Sequence, residues 1–119
     1  MAFFILYQLT KMRKITKETC KAFYDLQTCK KSNVVVDYGI NHHFYYFLHN
    51  NLIGDYNPKN GELVIEDAGR KTNTTKERLN GILDVYGLGY IYQKNFTWYY
   101  VDQNGNEEKR NGRKTFQNV

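Results

Sequence analysis

Cysteine and proline are scarce in this 119-residue sequence, which has one proline, Pro58, and two cysteines, Cys20 and Cys29. A single proline argues against a disordered or linker-rich chain. Two cysteines fall short of a zinc-site pattern. Both are predicted to lie on one helix, where a separation of nine residues points them to opposite sides and prevents a disulfide. We therefore expect two buried, apolar thiols in a reducing cytosol.

Long apolar segments and catalytic patterns are also missing. The apolar segment 2–7 is far too short to span a bilayer, and its flanks lack the features of a secretion signal. There is no phosphate-binding glycine loop, and no Ser-His-Asp or Cys-His arrangement is indicated. The three histidines, His42, His43 and His49, lack the further ligands that a zinc site needs. The sequence thus predicts no enzyme, no cofactor, no metal site and no membrane span, although a small nuclease remains a minor alternative.

Basic and aromatic residues are abundant. The chain has 17 Lys and Arg against 12 Asp and Glu, a formal charge of +5, and its 11 tyrosines and 7 phenylalanines can supply the core of one domain. The charge favours an acidic partner, either nucleic acid or an acidic protein surface. The alternative is a charge that serves solubility alone.

Periodicity predicts two helices separated and followed by strands. The first helix covers residues 17 to about 29, with Thr16 as its N-cap. A capping box of Thr74 and Glu77 opens the second helix, which ends at Gly87. Strands are predicted near residues 33–38, 43–48, 52–53, 63–65, 90–92, 97–101 and 107–110.

The predicted fold class is α+β, an antiparallel β-sheet with two helices on one face, in the order α-β-β-β(-β)-α-β-β(-β). Residues 12–110 form a single domain in this prediction. Residues 1–11 are an N-terminal extension, because Met12 is a plausible start, or else an extra edge strand. Residues 111–119 form a loose basic and polar tail.

Four basic residues cluster at the start of the second helix: Arg70, Lys71, Lys76 and Arg78. Cations at a helix N-terminus oppose the helix dipole, which hints that an anion such as a phosphate binds there. A second basic run comprises Lys109, Arg110, Arg113 and Lys114, of the type that grips phosphates without reading sequence. In both cases the alternative is a solvated surface.

Aromatic side chains crowd the hairpin that follows the second helix, with Lys94 at its turn. Alternate aromatics beside Lys or Arg on a sheet can stack the bases of RNA or single-stranded DNA. Strand parity favours Tyr99, with Tyr90 or Tyr92, as the exposed members. The same aromatics serve equally well as cross-strand pairs and core.

Three segments together resemble a family of small uncharacterised proteins encoded by bacteriophages and other mobile elements: residues 12–18, 47–53 and 72–83. The resemblance runs from about residue 12 to 102, and its most specific part is Asn-Thr-Thr-Lys-Glu-Arg-Leu-Asn-Gly at residues 73–81. The family often has an aromatic residue at the position of Arg70, so this chain departs from the pattern there and gains a charge.

The resemblance supplies no activity and therefore no catalytic residue. It implies a bacterial cytoplasm as the location. Small, basic, non-enzymatic phage proteins are often inhibitors of host defence, including anti-CRISPR proteins, so the expected partner is a host defence protein or ribonucleoprotein. A general module that binds RNA or single-stranded nucleic acid is the alternative.

Overall fold

The computed structural model describes residues 12–110 and 112–119. The expectations for residues 1–11 lie outside this part of the chain. The helices and strands run, in chain order, α1 (Lys14–Tyr24), β1 (Cys29–Lys31), β2 (Val34–Tyr38), a 3₁₀ turn (Ile40–His42), β3 (Phe44–Leu48), β4 (Asn51–Asn57), β5 (Glu62–Glu66), α2 (Asn73–Tyr86), β6 (Tyr90–Lys94), β7 (Thr97–Val101), β8 (Glu107–Lys109) and β9 (Arg113–Phe116).

Two antiparallel sheets organise these strands. The large sheet has the order β1-β2-β3-β4-β5-β9, and the small sheet has the order β6-β7-β8. Side chains alternate between the faces of the large sheet, so one face supplies core residues such as Val36, Tyr46 and Leu63, all almost fully buried. The α+β class and the order of helices and strands are as predicted.

Both helices pack on the same face of the large sheet. A Cβ atom on Gly54, in the middle of β4, would lie 3.0 Å from Ile82 of α2, 3.2 Å from Tyr46 and 3.4 Å from Phe23 of α1. The two helices therefore meet above Gly54, where the backbone of the sheet comes closest to them. The predicted placement of the helices on one face is confirmed.

The small sheet is fixed to the large one through α2 and β9. The side-chain amide of Asn80 donates to the Ile91 carbonyl at 2.9 Å and accepts from the Ile91 N–H at 2.6 Å. The ring of Tyr100 on β7 packs edge-on against Phe116 of β9, with 5.6 Å between centroids. The middle of α2 therefore binds β6, and β9 of the large sheet contacts β7 of the small one.

The first helix differs from its predicted bounds at both ends. It begins at Lys14 after an N-cap at Arg13, because the Thr16 hydroxyl is engaged with α2 and is fully buried. It ends at Tyr24, and Leu26 has a positive φ of 56°. Cys29 then pairs with Val36 on a strand. The premise that both cysteines share a helix was wrong, and so was the expected burial of Cys29, which is partly exposed; both thiols are free.

The second helix is capped two residues earlier than predicted. Thr72 is the N-cap, and its hydroxyl accepts from the Thr75 N–H at 3.1 Å. The predicted capping box of Thr74 and Glu77 was wrong, because the Glu77 carboxylate turns towards α1 instead. The predicted end is confirmed, since Gly87 takes the left-handed conformation with φ of 68°.

The C-terminal segment contributes to the large sheet. Residues Arg113–Phe116, which the sequence placed in a loose tail, pair with β5 from Leu63↔Phe116 to Glu66↔Arg113. The strand was missed because the segment is polar. Its outward side chains face solvent, while Lys114 and Phe116 are half-buried. The sheet therefore extends beyond residue 110.

The two thiols should react very differently with a labelling reagent. Cys20 is fully buried and burial raises the pKa of its thiol to about 12, whereas Cys29 is partly exposed on β1. Because the thiolate is the reactive form, we expect an aromatic disulfide reagent at neutral pH to modify one thiol per folded chain and two in denaturant. Two fast-reacting thiols in the folded protein would contradict the burial of Cys20.

Candidate functional site: a basic surface at the start of α2

The two basic runs, separated by about thirty residues in the sequence, lie next to each other in the structure. The Asp67 N–H donates to the Gly112 carbonyl at 3.0 Å, and the Arg110 N–H donates to the Trp98 carbonyl at 2.9 Å. The first bond holds the loop between β5 and α2 against the chain that leads into β9, and the second holds that chain against β7. Both runs therefore approach strand β7 of the small sheet.

Cations from both runs lie over aromatic rings of β7. Lys71 Nζ is 5.8 Å from the centroid of the Trp98 ring, and Lys114 Nζ is 4.8 Å from that of Tyr100. Trp98 and Tyr100 are two residues apart and so share a face of the strand. Contacts of this type are weakly attractive and place the two charges along one strip.

Lys76 lies on α2 and belongs to the same region. It precedes Asn80 by four residues, so the two share a side of α2. Asn80 binds β6 through Ile91, which places Lys76 on the side of α2 that faces the small sheet. We call Arg70, Lys71 and Lys76 the basic surface.

The C-terminal run is largely paired within the fold. Glu108 contacts Lys114 at 2.7 Å and Arg110 at 3.7 Å, and the hydrogen bond from Lys114 is the main reason that the pKa of Glu108 is lowered. Arg113 lies 4.0 Å from Glu66. The predicted site residues Arg110, Arg113 and Lys114 thus have carboxylate neighbours that reduce their attraction for an external anion.

The remaining basic site residues have no such neighbour. Within residues 12–110 and 112–119, no carboxylate lies within 4.0 Å of the charged groups of Arg70, Lys71, Lys76, Lys94 or Lys109. Four of them are exposed and Lys76 is half-buried. The basic surface therefore carries three charges that the described fold leaves uncompensated.

Arg78 does not belong to this surface, and its assignment as a binding residue requires correction. Its side chain is 1% exposed. Its Nη1 donates to Thr16 Oγ1 at 2.5 Å and to Glu77 Oε1 at 2.8 Å. Glu77 also accepts from Arg13 Nε at 3.0 Å. Arg78 thus links α1 to α2, and it points away from any external anion.

The aromatic hairpin presents a second, smaller surface. Tyr92 and Tyr99 stack with 5.3 Å between centroids and 23° between ring planes, and Lys109 is opposite Tyr99 on β8. Parity left Tyr90 and Tyr92 as alternatives, and Tyr92 is the more exposed of the two. Phe96 at the hairpin turn, beyond Lys94, is 93% exposed. Strand parity did not mark this side chain as exposed.

A cavity of about 220 Å³ adjoins the basic surface, and the sequence analysis missed it. The β3–β4 turn and the start of α2 line it, through residues that include His49, Asn51, Asp67, Arg70 and Thr75. Asp67 is 5% exposed, and its Oδ2 has no hydrogen-bond partner among the described residues. A turn signal at Asp67-Ala68-Gly69 was visible in the sequence, but the burial of its carboxylate was not.

Among the described residues, no group of three or more His, Cys, Asp or Glu side chains could hold a metal ion. His43 has one carboxylate partner, since its Nδ1 lies 2.6 Å from Asp55 Oδ1. No helix in the described part of the chain has the length and apolarity needed to cross a membrane.

A family model described as Kyanoviridae Gp96 protein matches residues 12–118. The chain belongs to this family. Kyanoviridae are phages, so the predicted origin in a phage family is confirmed at that level. The match begins at residue 12, where the resemblance seen in the sequence begins, and continues past residue 102 through β9. No curated protein and no solved structure matches the chain.

Proposed function

We propose that this phage protein acts without catalysis in the host cytoplasm, by binding and inhibiting a nucleic-acid-handling defence complex, as anti-CRISPR proteins do. The basic surface contacts the phosphates of the guide RNA, or an acidic surface of the effector protein. The observation that carries the proposal is that Arg70, Lys71 and Lys76 have no carboxylate partner within the described fold.

Physical chemistry supports an anionic partner for these three residues. Lysine and arginine without intramolecular partners are free to replace the counterions of a phosphate backbone, and this release drives association. The N-terminus of α2 adds the positive end of a helix dipole at the same place. Clustered cations at a helix start repel that end of the helix, so their presence there contributes little to folding.

Co-purification tests the proposal. The tagged protein is expressed in a host bacterium, and retained ribonucleoprotein complexes are identified and assayed for target cleavage with and without the protein. We expect the wild type to retain and inhibit an effector. The triple variant Arg70→Ala, Lys71→Ala, Lys76→Ala should lose both properties while its circular dichroism spectrum stays unchanged.

A matched control separates this surface from overall charge. Lys17, Lys30 and Lys59 are exposed, are not among the predicted site residues, and have no ion-pair partner among the described residues. Replacing all three by alanine removes the same charge of three units elsewhere on the molecule. Equal loss of inhibition in both triple variants would contradict the proposal, and so would the absence of any retained or inhibited effector.

The hairpin favours a second function, general binding of RNA or single-stranded DNA. Tyr92, Tyr99 and Phe96 offer aromatic surface beside Lys94 and Lys109, and base stacking on such a surface tolerates any sequence. Binding would then need no protein partner. Gel-shift titration with an unstructured oligonucleotide at low salt tests this function. Phe96→Ala should weaken the complex. Unchanged affinity of this variant would exclude the hairpin as the binding surface.

A further inference from the structure

A second cavity, of about 410 Å³, lies where both helices end. Tyr24 is the last residue of α1 and Tyr86 is the last residue of α2. Together with Tyr56 of β4, they supply three aromatic rings to the lining of the cavity. The other described residues in this lining are Leu26, Pro58 and Val119. Because α2 has 14 residues, about 20 Å separate the cavity from the start of that helix and its basic surface.

The three tyrosine rings are in contact and inclined to one another. The planes of Tyr24 and Tyr86 make an angle of 76°, with 4.9 Å between centroids. Those of Tyr56 and Tyr86 make an angle of 43°, with 5.4 Å between centroids. Tyr24 is 49% exposed, so its ring is accessible to a ligand. Inclined rings around one cavity can offer several π faces to a single bound group, which is the arrangement that recognises methylated ammonium ions.

The electrostatic environment of the cavity also favours a cation. The C-terminal end of a helix carries the negative end of its dipole, and two such ends meet here. The last turn of α2 contains Asp84 and no basic residue. Asp84 has no ion-pair partner among the described residues, whereas Asp25, which caps α1, is paired with Lys21 at 2.5 Å. A bound cation would therefore be attracted by both helix ends.

The lining of the cavity selects a methylated ammonium over a primary one. A primary ammonium has three N–H donors that need acceptors when they leave water, and none of the described lining residues has a charged side chain. Methyl groups replace these donors and give the cation an apolar surface that suits contact with aromatic rings. We propose that the cavity binds a trimethylammonium group, such as that of choline or of a trimethyllysine side chain.

Calorimetric titration of the full chain tests the requirement for charge without any substitution. The ligands are choline and its uncharged isostere, in which a carbon atom replaces the nitrogen. We expect choline to bind about tenfold more tightly, because only the cation is attracted by the rings and the helix ends. The formal charge of +5 repels cations in general, so saturable binding requires a local site. Equal affinity for the two ligands, or no saturable binding of choline, overturns the inference.

Substitutions at Tyr24 assign the binding to the aromatic rings. Tyr24→Phe keeps the ring and should leave the affinity for choline within about threefold of the wild type, whereas Tyr24→Leu should lower it about tenfold. Tyr38→Leu is the matched control, because Tyr38 is 66% exposed and is not among the residues that line the cavity. Unchanged affinity of Tyr24→Leu would refute the assignment, and so would an equal loss in Tyr38→Leu.

Peptides separate the two sources of the trimethylammonium group. If the group belongs to a partner protein, a peptide with trimethyllysine should bind at least as tightly as choline and more tightly than the same peptide with unmodified lysine. Binding of choline with no binding of either peptide would assign a small molecule as the ligand. Equal affinity for the two peptides would refute the preference for methylated ammonium.

The inference does not depend on the proposed function, and the two can fail separately. Saturable choline binding by a protein that retains no defence complex would support the cavity assignment and refute the proposed function. Retention and inhibition of a defence complex by a protein that does not bind choline or the trimethyllysine peptide would refute the cavity assignment alone.

Discussion

Replacing Arg78 by alanine should lower the free energy of unfolding by about 2–5 kcal/mol, because it removes a large buried side chain and its hydrogen bonds. The guanidinium is 1% exposed and connects Thr16 of α1 to Glu77 of α2. Its loss removes the donor to the Thr16 hydroxyl and one of the donors to Glu77, which keeps Arg13, and opens a cavity between the helices. Urea denaturation followed by circular dichroism measures the change.

Lys76→Ala is the control for this prediction, because Lys76 lies two residues earlier on the same helix and has no ion-pair partner among the described residues. It should change stability by no more than about 0.5 kcal/mol, as is usual for surface positions. Arg78→Met should lose less than Arg78→Ala, since it restores much of the buried volume. If Arg78→Ala were as stable as Lys76→Ala, the buried link between the helices would be refuted.

Replacing Asn80 by alanine should cost about 2–4 kcal/mol, because two buried backbone groups of Ile91 lose their partners. The two bonds of the amide measure 2.9 Å and 2.6 Å, and Asn80 is 5% exposed. They connect α2 to the edge strand β6. We expect the small sheet to lose more protection against hydrogen exchange than the large one, which exchange measured by NMR would reveal.

Asn73→Ala provides the comparison for Asn80, since Asn73 is exposed in the first turn of the same helix. Its replacement should leave stability within about 0.5 kcal/mol of the wild type. Uniform loss of protection across both sheets in Asn80→Ala would show that the small sheet does not open separately. An unchanged unfolding free energy would show that the two bonds contribute nothing.

Much of the fold was predictable because the local sequence patterns agree with the burial of the side chains in the structure. The strand predicted near residues 43–48 is present as β3, and the helix end predicted at Gly87 is present as well. The start of α1 was missed because the Thr16 hydroxyl, a good N-cap by local rules, is used by a contact with Arg78 across the fold. Such tertiary contacts leave no local signal.

The candidate site was only partly predictable, because it too depends on tertiary contacts. Composition identified the cluster of Arg70, Lys71, Lys76 and Arg78 but could not separate its members by burial. Helical geometry alone places Arg78 and Lys76 on opposite sides of α2. Whether the side that carries Arg78 is buried depends on the position of α1. The cavity at Asp67 was out of reach, because it forms where the β3–β4 turn meets α2, and the pairing of these distant segments appears only in the structure.

The central claim is that Arg70, Lys71 and Lys76 contact phosphates while Arg78 serves the fold. The salt dependence of binding to an unstructured RNA oligonucleotide tests it most directly. Each phosphate contact on a single strand contributes about 0.7 to the slope of log affinity against log salt. The triple alanine variant should therefore lose about 2 from this slope relative to both the wild type and the control variant at Lys17, Lys30 and Lys59. An unchanged slope would contradict the account.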